Sequence, residues 1–297
     1  MGWPTIRVNH KGNVIVADGF SIAFFLTDSH SIVSPIIEKA MVKYVDLIGI
    51  DSLNFYLDED GYTPPLNREL LEKLKFERFH SDEDEGGLRL LGSDNDISSF
   101  KFYYYGFEIS ATKYPNYRNV VSFVFPTGWI NTNGINKACD FAKDLSGSLP
   151  FSFGYACPTI LYEHPNHRAF ASALRYPGMT LLNARSICSD IGDNAAGIYW
   201  LSFWGEKLTS KLGGYKTIRS SLSDSILVKD ISRSKVLVQL GSKPEAGDTN
   251  KQIDLPLHCE LHALLSPYLH IPTHPYFFDS QGDVDPESMK KWHYRFN

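Results

Sequence analysis

Cysteine is scarce in this 297-residue chain, which holds only Cys139, Cys157, Cys188 and Cys259. No two form a C-x-x-C pair, so zinc ribbons and fingers are excluded. Four isolated thiols fit a reducing compartment better than a disulfide-stapled scaffold. Long apolar runs are missing as well. The longest, around Ile22 to Leu26, falls far short of the ~20 residues that span a bilayer. The opening Met1-Gly2-Trp3-Pro4-Thr5 lacks the cationic stretch and apolar core of a secretory signal, so the expected location is the cytoplasm, with no membrane partner. Charge is not extreme either: 29 Lys and Arg face 34 Asp and Glu, a net of -5, which excludes a broadly basic nucleic-acid binder. With 43% apolar and 21% charged residues the chain is neither disordered nor low in complexity. Folding at this length hides roughly three-quarters of the unfolded surface, so no metal or disulfide staple is required.

Catalytic signatures are also absent. There is no G-x-S-x-G elbow, P-loop or dinucleotide-binding G-x-G-x-x-G. Gly192-Asp193-Asn194-Ala195-Ala196-Gly197 precedes a strand instead of following one, and is expected to be a loop. His258-Cys259-Glu260-Leu261-His262 places two histidines on one helix face, as zinc requires. Its glutamate, however, stands third, where H-E-x-x-H needs it second. A metal-dependent hydrolase drawing on His258, His262 and a carboxylate from elsewhere is the alternative reading. The favoured expectation is no metal, no cofactor and no catalytic residue. Asp58-x-Asp60-Gly61 lacks the spacing and terminal glutamate of a calcium loop.

The pattern that is present alternates strands and helices. Phe20 to Leu26 predicts a buried strand. Ser34-Pro35 predicts the cap and first turn of a helix whose apolar positions run from Ile36 to Ile48 and which ends at Gly49. Leu53 to Leu57 predicts a second strand. A similar unit follows a hundred residues later: a strand over Val120 to Phe125, a helix with Ile135, Ala138, Cys139, Ala142 and Leu145 inward, and an extended stretch from Phe151. The expected class is α+β, mixed sheet or sheets with packed helices and two pseudo-repeated β-α-β units. The organisation is one domain over residues 1–297, or two lobes of about 1–118 and 119–297. Aromatic runs at Phe102 to Phe107 and Trp200 to Trp204 predict core strands, since the Lys and Arg that accompany base-stacking platforms are missing around them.

One charge feature stands out. Between Asp51 and Asp96 thirteen acids face five bases, a local -8, and the other 251 residues sum to +3. The acids concentrate at Asp58-Glu59-Asp60 and Asp82-Glu83-Asp84-Glu85, with Asp94 and Asp96 beyond. Polar, glycine-flanked surroundings leave such carboxylates solvated, unlike catalytic pairs, whose environments drive their pKa values apart. They form either a solubilising surface or a binding surface for something basic.

Several phrases carry a resemblance. They are Phe125-Pro126, Leu149 to Ala156, Arg175-Tyr176-Pro177-Gly178-Met179, Tyr199 to Gly205, Leu212-Gly213-Gly214, Leu240-Gly241 through Pro244-Glu245-Ala246-Gly247-Asp248, and Trp292-His293-Tyr294-Arg295-Phe296. In this order the chain resembles the type VI secretion immunity family, long catalogued as a domain of unknown function, from about Phe20 to Phe296. The resemblance implies a non-enzymatic cytoplasmic protein that binds and neutralises a cognate type VI effector, several of which look like nucleases of the restriction-endonuclease-like class. It carries no catalytic residues over, and the acidic loops lie outside its phrases. Physics supplies a role for them: a nuclease presents Lys and Arg to phosphates, and an acidic inhibitor can occupy that groove with charge-steered encounter. A standard complex buries ~800 Å² on each partner. Asp58, Glu59, Asp60, Asp82, Glu83, Asp84, Glu85, Asp94 and Asp96 are therefore the expected partner-binding residues. Pro244 to Asp248 is read as turn chemistry, with Gly247 at positive φ and Asp248 capping backbone amides.

Overall fold

The chain opens with a hairpin of β1 (Arg7–His10) and β2 (Asn13–Leu26), turned at Lys11 and Gly12, both at positive φ. The computed structural model describes residues 2–80, 85–109, 113–162, 167–181, 184–232, 234–272, 283 and 285–297. Among these, α1 (His30–Ile48) is followed by a short β3 (Phe55–Tyr56) and α2 (Arg68–Phe79). Then come β4 (Glu85–Leu91), β5 (Lys101–Phe107) and β6 (Asn119–Pro126). Two helices, α3 (Thr127–Asn133) and α4 (Ile135–Ser148), lead to β7 (Phe151–Tyr162). The rest is α5 (His167–Arg175), α6 (Ala184–Ile187), β8 (Leu201–Trp204), α7 (Glu206–Lys211), α8 (Gly214–Ser221), the hairpin β9 (Ile226–Ser232) and β10 (Lys235–Leu240), then α9 (Pro256–Leu265) and α10 (Pro286–His293).

All ten strands join one antiparallel sheet in the order β3-β4-β5-β6-β2-β7-β8-β10-β9, with β1 pairing the start of β2. The fold is α+β. Both β-α-β units occur in chain order. Because every ladder is antiparallel, β3 runs parallel to β2 across three intervening strands, and β7 runs parallel to β6 across β2 alone. The two connections therefore differ in span.

The sheet is centred on β2, whose last eleven residues, Val16 to Leu26, pair with β7 while its final eight also pair with β6. Alternation sends Phe20, Ile22 and Phe24 to one face and Ser21, Ala23 and Phe25 to the other. The first face shares a layer with Phe123 and Phe125 of β6. There Tyr44 of α1 and Phe141 of α4 pack edge-on, with centroids 5.0–5.2 Å from Phe123. The opposite face carries Tyr155, stacked 4.2 Å from Tyr199 in the segment ahead of β8. Layers on both sides explain why β2 is buried almost throughout.

Several boundaries moved. α1 starts at His30, ahead of Ser34-Pro35, and Pro35 lies inside it. Its start is set from a distance: Glu108 Oε1 accepts from the Ser31 amide at 2.7 Å, and Ser29 Oγ accepts from the Ile109 amide at 3.0 Å. α2 arises in the acidic district, where Asn67 caps it by accepting from the Leu70 amide and Leu71, Leu74 and Phe79 turn inward. The Trp200 to Trp204 run is core as expected. In β5 only Phe102 and Tyr104 are core, while Tyr103, Tyr105 and Phe107 face the other way, half-buried.

Close backbone approach fixes one distant junction. The Gly178 amide donates to the Ala246 carbonyl at 2.8 Å, and a Cβ on Gly178 would stand 2.1 Å from the Glu245 carbonyl oxygen. Backbone cannot yield as a flexible side chain does. Gly178→Ala should therefore destabilise the protein by about 3 kcal/mol, read as a lower urea midpoint at unchanged m-value.

Candidate partner-binding surface

The expected contact residues separate in space. Asp58 belongs to a tight loop: its Oδ1 accepts from the Tyr62 amide at 2.7 Å and its own amide donates to the Tyr62 carbonyl, around Gly61 at positive φ. Glu59 pairs with Arg78 at the end of α2 at 2.6 Å while remaining 80% exposed, and Asp60 is exposed beside it. Glu85 is exposed at the first position of β4, against Tyr105. Asp82, Glu83 and Asp84 lie outside the described residues. The close approach of Gly86 to the Arg78 carbonyl brings the end of α2 onto the start of β4. Glu59, Asp60 and Glu85 thus share one end of the sheet's β3–β4 margin.

Asp94 and Asp96 do not join them. They follow β4 at its far end, about 20 Å along the strand from Glu85 by strand rise. Asp96 has structural work: it accepts from the Ser98 amide at 2.8 Å and pairs with Arg7 at 3.1 Å. Partial burial pushes its carboxyl upward, but the Ser98 hydrogen bonds and Arg7 outweigh this and hold it below the usual carboxylate range.

The two helix histidines share a face as their spacing requires, and that face is buried, with His258 against Phe296 at 5.2 Å. Glu260 points away and accepts from the Ser223 amide and hydroxyl. Burial, reinforced by Arg295, lowers His258 to about 3 and lowers His262 as well. Neutral imidazoles are the metal-binding form. Yet among the described residues no group of three or more His, Cys, Asp or Glu side chains is arranged to hold a metal ion, which leaves the hydrolase reading without a third ligand there. No helix among these residues is long and apolar enough to cross a membrane.

A family model described as TsiV, type VI immunity for VRR-NUC, matches residues 36–296. The chain belongs to this family. Among solved structures, the Pseudomonas aeruginosa T6SS protein PA0821 superimposes with a TM-score of 0.79 at 15% identity, over 96% of this chain and 83% of that one. At that identity the likeness speaks for the fold alone. Comparison with curated proteins finds no match.

Three of the TsiV-like phrases meet physically. Arg175 donates from Nε and Nη2 to the two Asp248 carboxylate oxygens at 3.1 Å each, while Asp248 Oδ1 also accepts from the Asn250 amide. Arg175 holds the Asp248 carboxyl below its ordinary range. Arg295 donates from Nε to the Pro177 carbonyl at 2.8 Å, with its guanidinium 3.9 Å from the Trp292 ring centroid. Arg175–Met179, Pro244–Asp248 and Trp292–Phe296 therefore form one structural junction. Sequence reasoning took Tyr103, Tyr105 and Phe107 for core and did not single out Arg185; they present rings and a guanidinium on the sheet face opposite α1. The available signal was the strict alternation of β5.

Burial of His258 makes stability pH-dependent. The unfolded chain takes up a proton on this imidazole near pH 6.5, whereas the folded chain does so only near 3. The stability this neutral histidine provides is complete above 6.5 and is lost as pH falls toward 3. At pH 5 the loss should be about 2 kcal/mol. Urea titrations at pH 7 and pH 5 should show it, and His258→Gln should reduce the difference by about 2 kcal/mol, leaving the part that belongs to His293, which burial lowers to about 4.

Proposed function

We propose that this TsiV-family chain is an immunity protein that binds a cognate type VI effector of the VRR-NUC nuclease type and neutralises it by covering its active or substrate-binding surface. The reading is of a non-enzymatic, cytoplasmic inhibitor that makes no contact with nucleic acid itself and acts as one folded unit over its whole length. The observation that carries it is the family match over residues 36–296. The exposed carboxylates of Glu59, Asp60 and Glu85 support it, because a phosphate-binding protein offers them Lys and Arg.

Expression of the effector alone should stop growth, and co-expression of this chain should restore it. Survival lost equally with and without the chain would overturn the assignment.

The acidic margin makes a kinetic prediction. Reversing Glu59, Asp60 and Glu85 to Lys should slow association with the effector about tenfold at low salt and flatten its salt dependence. Asp94→Lys, at the far end of β4, should leave both nearly unchanged. Association rates measured across a salt series decide between them.

A further inference from the structure

On the sheet face opposite α1 and α2, β5 presents Tyr103, Tyr105 and Phe107 at successive outward positions, and β4 presents Glu85, Gly87 and Arg89. The register sets Arg89 across from Tyr103, Gly87 across from Tyr105 and Glu85 across from Phe107. A Cβ on Gly87 would stand in ordinary van der Waals contact with the Tyr105 ring, 3.8 Å from its edge. Arg185, exposed on α6, lays its guanidinium 4.1 Å from the Tyr105 ring centroid. Beyond it, Phe107 and Tyr114 approach edge to face at 6.2 Å.

These residues are half-buried anchors on a rigid strand. Tyrosine and arginine dominate the energetics of protein interfaces, and rings already ordered by packing lose little further entropy on binding. The Tyr103 hydroxyl is itself buried beside Arg185, so Tyr103 offers its ring rather than a donor. The charges are layered: Arg185 and Arg89 flank the rings, and Glu85 with Glu59 lies at the margin. A nuclease centre is layered the opposite way. Carboxylates hold its divalent cations, and lysines and arginines surround them to bind phosphate.

We infer that this face, resting on the immunity reading, is the effector-contact surface: Arg185, Arg89 and the rings of Tyr103, Tyr105 and Phe107 dock on the carboxylate-lined cation site of the nuclease, and the marginal acids meet its basic surround. The inference assigns the centre of the interface to residues outside the acidic loops.

The test measures binding of the full chain to the intact nuclease, with Mg²⁺ varied at constant ionic strength. Arg185→Glu should weaken the complex about 100-fold and Tyr105→Ala about 30-fold, while Arg185→Lys restores part of the loss. Added Mg²⁺ should compete with the wild type and not with Arg185→Glu. Circular dichroism melts of each variant report whether the fold survives; Arg185 is exposed but stacks on Tyr105 and bonds Tyr103, so only variants that melt with the wild type are compared. If the wild type binds the nuclease and folded Arg185→Glu binds within threefold of it, this surface is wrong while the immunity role stands. If the same variants instead lose affinity for a fluorescent single-stranded oligonucleotide and keep it for the nuclease, the face is a nucleic-acid platform and the inference fails. A wild type that binds no VRR-NUC nuclease overturns the immunity reading itself.

Discussion

The structure depends on β2 being paired along both edges and covered on both faces. A strand in that position has no polar side, so every backbone donor and acceptor must be met by β6, β7 or β1, and an unmet one in the interior would be costly. Two buried polar side chains, Asp18 and Ser21, lie on this strand. Asp18 accepts from the Ile6 amide at 2.7 Å and from the Thr127 hydroxyl at 2.6 Å, tying the segment before β1 to the start of α3. The N-terminal hairpin, the return through α3 and the centre of the sheet are thus fastened at one carboxylate. Strands β3 to β6 lie on one side of β2 and β7 to β10 on the other, so its register governs where the margins of the sheet fall.

What was legible in the sequence follows from this. Buried strands such as Phe20 to Leu26 and Val120 to Phe125 are continuous apolar runs, and the helix at Pro256 and the cap at Asp285 are local chemistry confirmed by the Ser288 amide donating to Asp285 at 2.9 Å. The misplaced start of α1 has a non-local cause, since Glu108 caps it from 77 residues away. α2 was hidden for another reason. Its three inward residues at helical spacing are outnumbered by charges, and an acidic composition masks an amphipathic helix. β5 was read as core in full because five aromatics in six residues look uniformly apolar, although their alternation divides them between a sealed face and a half-open one.

The candidate site was less legible than the fold. A charge count along the chain locates acids in sequence, but it cannot tell which of them the fold spends on itself. Asp58 closes a turn, Asp96 holds Ser98 and Arg7, and Glu59 is shared with Arg78. Separation matters equally. Asp94 and Glu85 are nine residues apart in sequence, yet they stand at opposite ends of an extended strand.

The phrases that carried the family resemblance also change meaning in three dimensions. Arg175, Asp248 and Arg295 draw chain segments 73 and 118 residues apart into one junction, with Gly178 pressed against the backbone of Glu245. Such contacts account for why these residues belong together without assigning them to a partner. An immunity protein as proposed needs a rigid frame and a contact surface, and loops and margins accept change more readily than a backbone-to-backbone contact. The junction belongs to the frame. On the proposed reading, the β4–β5 face and the acidic margin beside it lie on the other side of that division, where a contact for the effector would leave β2 undisturbed.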